Sequence, residues 1–284
     1  MKKAIILDVD GVIIGEKRGV NTPHPHSDVM EKLKQVRASG IPVILCTAKP
    51  AFAIEYEIKN AELDNPHIAD GGGLLVDNHG KVYAGFTLEK SLAKRIINKL
   101  IAKGIYTEVY TADDYYIQES QVCEITDKHA FVLERRPQIV KSLANFCEEN
   151  EITKIMQVVA DESKKPFGNE VFEEFKDEST MVWAVHLPIL PLQFGIITAP
   201  GISKPEGVKN IAKILDVPLE NMLGVGDSTS DWKFISICGF AGAMGNASNE
   251  LKELVKSKGE DKFMIGKSVD ENGIIDILDW YLQK

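Results

Sequence analysis

Cysteine is scarce in this chain. There are four, Cys46, Cys123, Cys147 and Cys238, and none forms a CxxC pair, which excludes a dense disulfide framework and a thiolate zinc site. Cys46 lies inside an apolar run, and the four read as reduced thiols of an intracellular protein. Long apolar runs are missing too. The stretch after Lys2 and Lys3 turns apolar, but Asp8 and Asp10 interrupt it, unlike the core of a signal peptide. Nothing elsewhere approaches the roughly 20 apolar residues of a membrane span, so a cytoplasmic location is expected. Positive charge is in deficit: 33 Lys and Arg stand against 42 Asp and Glu, a net charge of −9. That balance argues against nucleic acid as a partner and leaves small anions bound at a local positive site. Repeats and low-complexity tracts are also absent. What is present is material for a core, 284 residues at 44% hydrophobic, enough for one large domain or two ordinary ones.

The stretch AIILDVDGVII, residues 4–14, runs an apolar, β-branched segment into two aspartates and then a glycine. A run of this kind reads as a buried strand of a parallel sheet, and ligands in such folds gather beyond the carboxyl ends of the strands. Asp8 and Asp10 are therefore placed where ligands bind. Two ionised carboxylates roughly 5 to 6 Å apart would repel by about 3 kcal/mol at an effective dielectric near 20. The pair calls for a cation, a shifted pKa, or both.

The segment SDVMEKLKQVRASG puts Val29, Leu33 and Val36 on one helical face, with Ser27 as expected N-cap and Gly40 as the stop. IPVILCT follows as a second buried strand, completing a right-handed strand–helix–strand unit. A further helix is expected over 52–58 and a hairpin turning at Asn78–Gly80. From 86 to 194 the pattern changes to more charge, more aromatics and more period-two alternation. Here the expectation is a helix over LEKSLAKRIINKLIAKG, strands near 107–110 and 115–118, a helix from Pro137, a strand over 155–159, a helix near 170–176, and a hairpin of MVWAVHL with LQFGIIT. Trp183, Phe172 and Phe175 are assigned to the core of this segment. Afterwards SKPEGVKNIAKIL, NMLGVGD and SNELKELVKSKG resume the helix–strand–helix alternation. The simplest architecture is α/β: a doubly wound, Rossmann-like core domain from 1–85 and 195–284, with an inserted α+β domain over 86–194.

Asp227 ends another buried strand and Asp231 follows one helical turn later, so four carboxylates can converge at one sheet edge. A single aspartate after a strand is more often a cap or turn residue; four at matching strand ends are poorly explained that way. Hard oxygen ligands without nearby histidine suit Mg²⁺. Thr47 ends the second strand, where its hydroxyl either binds an anion or caps the next helix. Lys204 stands in a first helical turn, where a cation opposes the helix dipole at a cost of roughly 0.3 to 1 kcal/mol, and Ser203 with Glu206 has the pattern of a capping box. His24 and His26 in PHPH have metal-ligand spacing but no third ligand nearby, so they read as loop residues. Arg135 and Arg136 either clamp a distal anion or form a solvated basic pair, the second being favoured.

DVDGV, the threonine ending the next strand, the downstream lysine and GVGDSTSD together resemble, in order and setting, the four motifs of the haloacid dehalogenase-like (HAD) superfamily. GFAGAMGNASNELKELV followed by SVDENGIIDIL resembles the C-terminal end of its type IIB, Cof-like phosphatases, whose α/β cap is inserted between the threonine and the lysine. The resemblance implies a phosphatase of a small phosphorylated metabolite, with a sugar phosphate as one expected class. Asp8 would be the nucleophile that forms an aspartyl-phosphate, and Asp10 the acid and base. Thr47 and Lys204 would hold the phosphoryl oxygens. Asp8, the Asp10 carbonyl and Asp227 would hold Mg²⁺, with Asp231 supporting that metal set or orienting Lys204. The sequence departs from the pattern at Val12, at Ser230 and in Thr47-Ala48-Lys49, where Thr-Gly-Arg is frequent. Lys49 either replaces that arginine or is a solvated helix-entry residue. A phosphomutase of the same family and a non-catalytic phosphoacceptor domain are the alternatives.

Overall fold

The computed structural model describes residues 2–185 and 189–284. In chain order it opens with β1 (Ala4–Leu7), α1 (Ser27–Ala38), β2 (Val43–Leu45), α2 (Glu55–Asn60), β3 (His67–Ala69), β4 (Leu74–Val76) and β5 (Val82–Gly85). The middle contains α3 (Lys90–Ala102), β6 (Tyr106–Tyr110), β7 (Tyr115–Gln118), α4 (Glu124–Leu133), β8 (Gln138–Val140), α5 (Leu143–Glu149), β9 (Lys154–Val159), α6 (Lys165–Glu173), β10 (Thr180–Val185) and β11 (Gln193–Thr198). The return contains α7 (Lys204–Leu215), β12 (Met222–Gly226), α8 (Trp232–Ile235), β13 (Phe240–Ala243), α9 (Asn249–Lys256), β14 (Phe263–Ile265) and α10 (Ile274–Leu282).

The chain divides into two compact units, residues 1–49, 54–84 and 203–284 in the first and 50–53 with 85–202 in the second. The first unit is built on a parallel sheet of order β14-β13-β12-β1-β2. Every residue of β1 is fully buried, which a strand achieves only when both faces of its sheet are covered. α1 supplies Val29, Leu33 and Val36 and packs with α10, while α7, α8 and α9 pack in succession. The core is doubly wound. His26, rather than Ser27, caps α1, its side chain accepting the Asp28 amide, and Gly40 follows the helix at φ +86, where a glycine costs no strain. A second small sheet, β3-β4-β5, adjoins this core through His67. The imidazole Nδ1 accepts the Leu45 amide at 3.1 Å and Nε2 donates to the Leu63 carbonyl at 3.2 Å. Burial pushes this histidine down to about 4.

The second unit carries a sheet of order β10-β11-β9-β6-β7-β8, antiparallel except where β7 pairs β8. One apolar cluster joins α3, α5 and α6 to the sheet through Leu92, Ile96, Leu143 and Val171; another holds Tyr106, Tyr110, Tyr115, Phe194 and Leu133 of α4. Phe175 is buried, and Trp183 packs on the first cluster. The expected insertion boundary at 194 falls inside β11, whose residues 193–197 are hydrogen-bonded to β9. The chain leaves this unit only at 202, because that strand must be completed first. The helix expected from Pro137 is β8 followed by α5, and α4 was not expected at all. The ends of the expected MVWAVHL strand, His186 and Leu187, lie outside the described residues. Among the described residues no helix is long and apolar enough to cross a membrane.

Candidate active site

β1 lies between β12 and β2, all three parallel, with Leu7 level with Val225 on one side and Leu45 on the other. Parallel strands in register end at the same edge, so the residues that follow them, Asp8, Asp227 and Thr47, emerge together. The Asp8 amide donates to the Val225 carbonyl at 3.0 Å and the Cys46 amide to the Leu7 carbonyl at 2.7 Å. The Asp8 carboxylate is thereby fixed at the end of a strand that cannot shift without breaking the sheet.

Lys204 is the first residue of α7, whose N-cap Ser203 accepts the Glu206 amide through its side chain. The expected capping box is half formed, since Glu206 itself pairs with Lys209. This anchoring aims Lys204 Nζ at Asp8 Oδ1, 2.9 Å away, and at Asp231 Oδ1, 2.8 Å away. Asp231 is fully buried. Its other oxygen accepts from the Ser228 hydroxyl at 2.8 Å and from the amides of Ser228 and Asp227 at 3.1 and 3.3 Å. Both oxygens are therefore committed to protein donors, and Asp231 is built to hold Lys204 and the turn after β12.

Carboxylate oxygens of Asp8, Asp227 and Asp231 lie within 4.8 Å of one another. Burial pushes the Asp8 carboxyl up to about 7, with Lys204 pulling it back and Asp231 adding to the rise. Burial, then repulsion from Asp231, pushes Asp227 up to about 6. Burial acts to lower Lys204, but Asp8 and Asp231 outweigh it and hold the ammonium protonated well above its ordinary range. One ammonium among three carboxylates leaves negative charge uncompensated, and the donors are hard oxygens, so the set fits a small divalent cation. The loop after Asp10 packs closely against this set. Gly11 sits at φ +75, and a Cβ there would meet Asp227 Oδ2 at 2.0 Å. Only glycine lets the loop after Asp10 lie against that carboxylate.

The Asp10 carboxylate does not join this cluster. It pairs with Lys49 Nζ at 2.7 Å, which leaves its carbonyl as the group that the family resemblance assigns to a metal. Thr47 is buried and does not cap α2. Its hydroxyl oxygen accepts the Lys49 amide at 3.1 Å, and its O–H stays available to an anion. Sequence reasoning missed Asn246, which donates to the Gly11 carbonyl at 2.9 Å and accepts the Val269 amide at 2.8 Å, tying the DVDGV loop to the C-terminal segment. No local pattern announces a contact across 235 positions. His24 and His26 have separate partners: His24 stacks on Tyr56 and pairs with Glu57 at 2.9 Å, while His26 caps α1. In the second unit Arg135 lies over Phe52 and Arg136 pairs with Asp127.

A family model described as haloacid dehalogenase-like hydrolase matches residues 5–278. "Phosphatase YwpJ" of Bacillus subtilis is 24% identical over 89% of this chain and 92% of its own length. The "5-amino-6-(5-phospho-D-ribitylamino)uracil phosphatase YwtE" of the same organism is 25% identical, over 99% and 98%. A solved HAD subclass IIB sugar phosphatase superposes with a TM-score of 0.76 at 18% identity, covering 98% of both chains; at that identity the likeness speaks for the fold. With the sheet-edge carboxylates, the lysine that joins two of them and a family match over nearly its whole length, the chain belongs to the haloacid dehalogenase-like hydrolases.

Proposed function

We propose that the chain is a Mg²⁺-dependent phosphatase of the type IIB, Cof-like branch, hydrolysing a small phosphorylated metabolite, with sugar phosphates as the expected class, through an aspartyl-phosphate on Asp8. The observation that carries this reading is Lys204 bridging Asp8 and Asp231 while Asp227 stands at the same sheet edge. Lys204 occupies Asp8 Oδ1, and no hydrogen bond is taken by Oδ2 among the described residues, so one oxygen is held while the other is left to attack phosphorus. That bond forms as the bond from phosphorus to the ester oxygen breaks, and Asp10 supplies the proton to the leaving oxygen. Asp10 then takes a proton from the water that attacks phosphorus, which releases inorganic phosphate and restores the Asp8 carboxylate. Lys204 and the Thr47 hydroxyl are assigned to the phosphoryl oxygens, where charge is held in the transition state. Asp8, the Asp10 carbonyl and Asp227 would hold Mg²⁺, with Asp231 behind them. The ion, when bound, lets an anionic nucleophile approach an anionic ester.

The test is release of inorganic phosphate from an aryl phosphate with Mg²⁺. Asp8→Asn is expected to lose activity by about 10³-fold or more. A variant that retains the wild-type rate would show that Asp8 is not the nucleophile, and the reading would fail. Free phosphate as product, rather than an isomeric ester, separates this activity from that of a phosphomutase.

A further inference from the structure

In the ion pair between Lys49 and Asp10 the cation is the buried partner. The Asp10 side chain is 57% exposed while that of Lys49 is only 13% exposed. A pair with one partner open to solvent contributes little to stability by itself. Here the cation is the anchored member. The Lys49 amide donates to Thr47 Oγ1 at 3.1 Å, and its carbonyl accepts the Asp70 amide at 2.9 Å. Its backbone is thus fixed between the end of β2 and the turn after β3. A second carboxylate, Glu57, is almost fully buried and pairs with His24 at 2.9 Å. Burial raises the Glu57 carboxyl; the hydrogen bond from His24 and then the charges of His24 and Lys49 pull it back. Lys49 therefore lies in the field of two acids, one sealed in the core and one presented to solvent.

We infer that Lys49 is a positioning residue for the proposed phosphatase reaction, holding the Asp10 carboxyl in the orientation from which it protonates the leaving oxygen. A carboxylate as open as Asp10 would otherwise exchange among its rotamers, and proton transfer demands hydrogen-bond reach to one atom of the ester. The fixed ammonium removes that freedom without itself touching the reacting atoms. Lys49 then matters most where the leaving group needs a proton most. This inference rests on the phosphatase reading above.

The experiment measures kcat/KM, which reports steps up to departure of the leaving group and so excludes the later hydrolysis of the aspartyl-phosphate. Lys49→Met, Asp10→Asn and the double variant are assayed with Mg²⁺ on p-nitrophenyl phosphate, whose phenolate leaves without a proton, and on an alkyl phosphate, whose alkoxide requires one. Lys49→Met is expected to lose about 10²-fold on the alkyl ester and less than about 3-fold on the aryl ester. Lys49→Arg should recover most of the loss, and adding Lys49→Met to Asp10→Asn should cost nothing further, as for two residues acting through one event. Lys49→Gln provides the same comparison if methionine impairs folding. Equal losses on both esters, or a loss that adds to that of Asp10→Asn, would overturn the inference and leave the phosphatase reading intact. A wild-type protein that cleaves neither ester, or an Asp8→Asn variant that cleaves them normally, would overturn the phosphatase reading and the inference with it.

Discussion

Both units of this chain bury charge, but they do so in different places. In the first unit Glu57 of α2 pairs with His24, and a separate group of buried charges gathers at one sheet edge: Asp8 after β1, Asp231 in the turn after β12, and Lys204 reaching them from the first residue of α7. In the second they lie within the sheet. Glu108, in the middle of β6, and Lys154, the first residue of β9, are fully buried, and Glu108 accepts from the Tyr110 hydroxyl at 2.7 Å and pairs with His129 of α4 at 2.9 Å. Lys154 Nζ lies 4.3 Å from the centre of the Tyr110 ring. Charge inside a sheet is matched by neighbours supplied by the fold itself. At the strand ends three carboxylates share one ammonium, and burial, with repulsion from Asp231, raises the carboxyls of Asp8 and Asp227. The comparison sets polar groups paired within a sheet beside polar groups gathered at a sheet edge, where the proposed reaction would use them.

Lys204→Met is the strongest challenge to this contrast. It removes the ammonium between Asp8 and Asp231, so phosphate release should fall by about 10³-fold, and stability in urea by about 3 kcal/mol because two buried carboxylates lose their shared partner. A variant with near-normal turnover would mean that the strand-end charges are structural, like those of the second unit. Glu108→Gln probes the other side. It should cost about 2 kcal/mol of stability through the weakened bond to His129, while the thermal shift produced by Mg²⁺ stays as in the wild type. A change in the Mg²⁺ shift would tie the mid-sheet charges to the metal and erase the distinction.

The smallest expected effect is a pH dependence. The folded-state carboxyls, at about 7 for Asp8 and about 6 for Asp227, stand above the ordinary 3.8. Between those values the folded chain keeps protons that the unfolded chain has released. Their stabilising contribution is complete below the unfolded value and is lost as pH rises through the folded one. A divalent cation takes the place of those protons, so its effect should be least near pH 4 and grow up to about pH 7. The Mg²⁺-induced rise in Tm should differ by roughly 3 °C across that range. A shift independent of pH would locate the ion away from these carboxylates.

Much of the candidate site was legible because a buried parallel strand announces its own end. The apolar runs stop at Asp8, at Thr47 and at Asp227, and the register of β1 with its two neighbours turns those sequence positions into spatial ones. Lys204 was legible as a residue in the wrong place, a cation at a helix N-terminus. What stayed hidden depends on contacts that local pattern does not encode. The reach of Lys49 to Asp10 crosses two loops, and Asn246 clamps Gly11 from the far end of the chain. α4 escaped because its buried face includes Thr126 and His129, polar residues that spoil the apolar period. β8 was mistaken for a helix because Pro137 suggests a first helical turn, whereas the segment completes the edge of a sheet.

The order of strands also sets a timetable for synthesis. The neighbour β12 is made more than two hundred residues after β1, as the register of Ala4 with Met222 requires. The hydroxyl of Tyr281, almost at the last turn, donates to the Asn221 carbonyl at 2.5 Å just before β12 begins. Every strand of the six-stranded sheet lies between residues 106 and 198. On the ribosome, all its partners are therefore available while β1 still lacks one of its neighbours. Until β12 is made, β1, with Asp8 at its tip, has one unpaired edge that is open to wrong pairings.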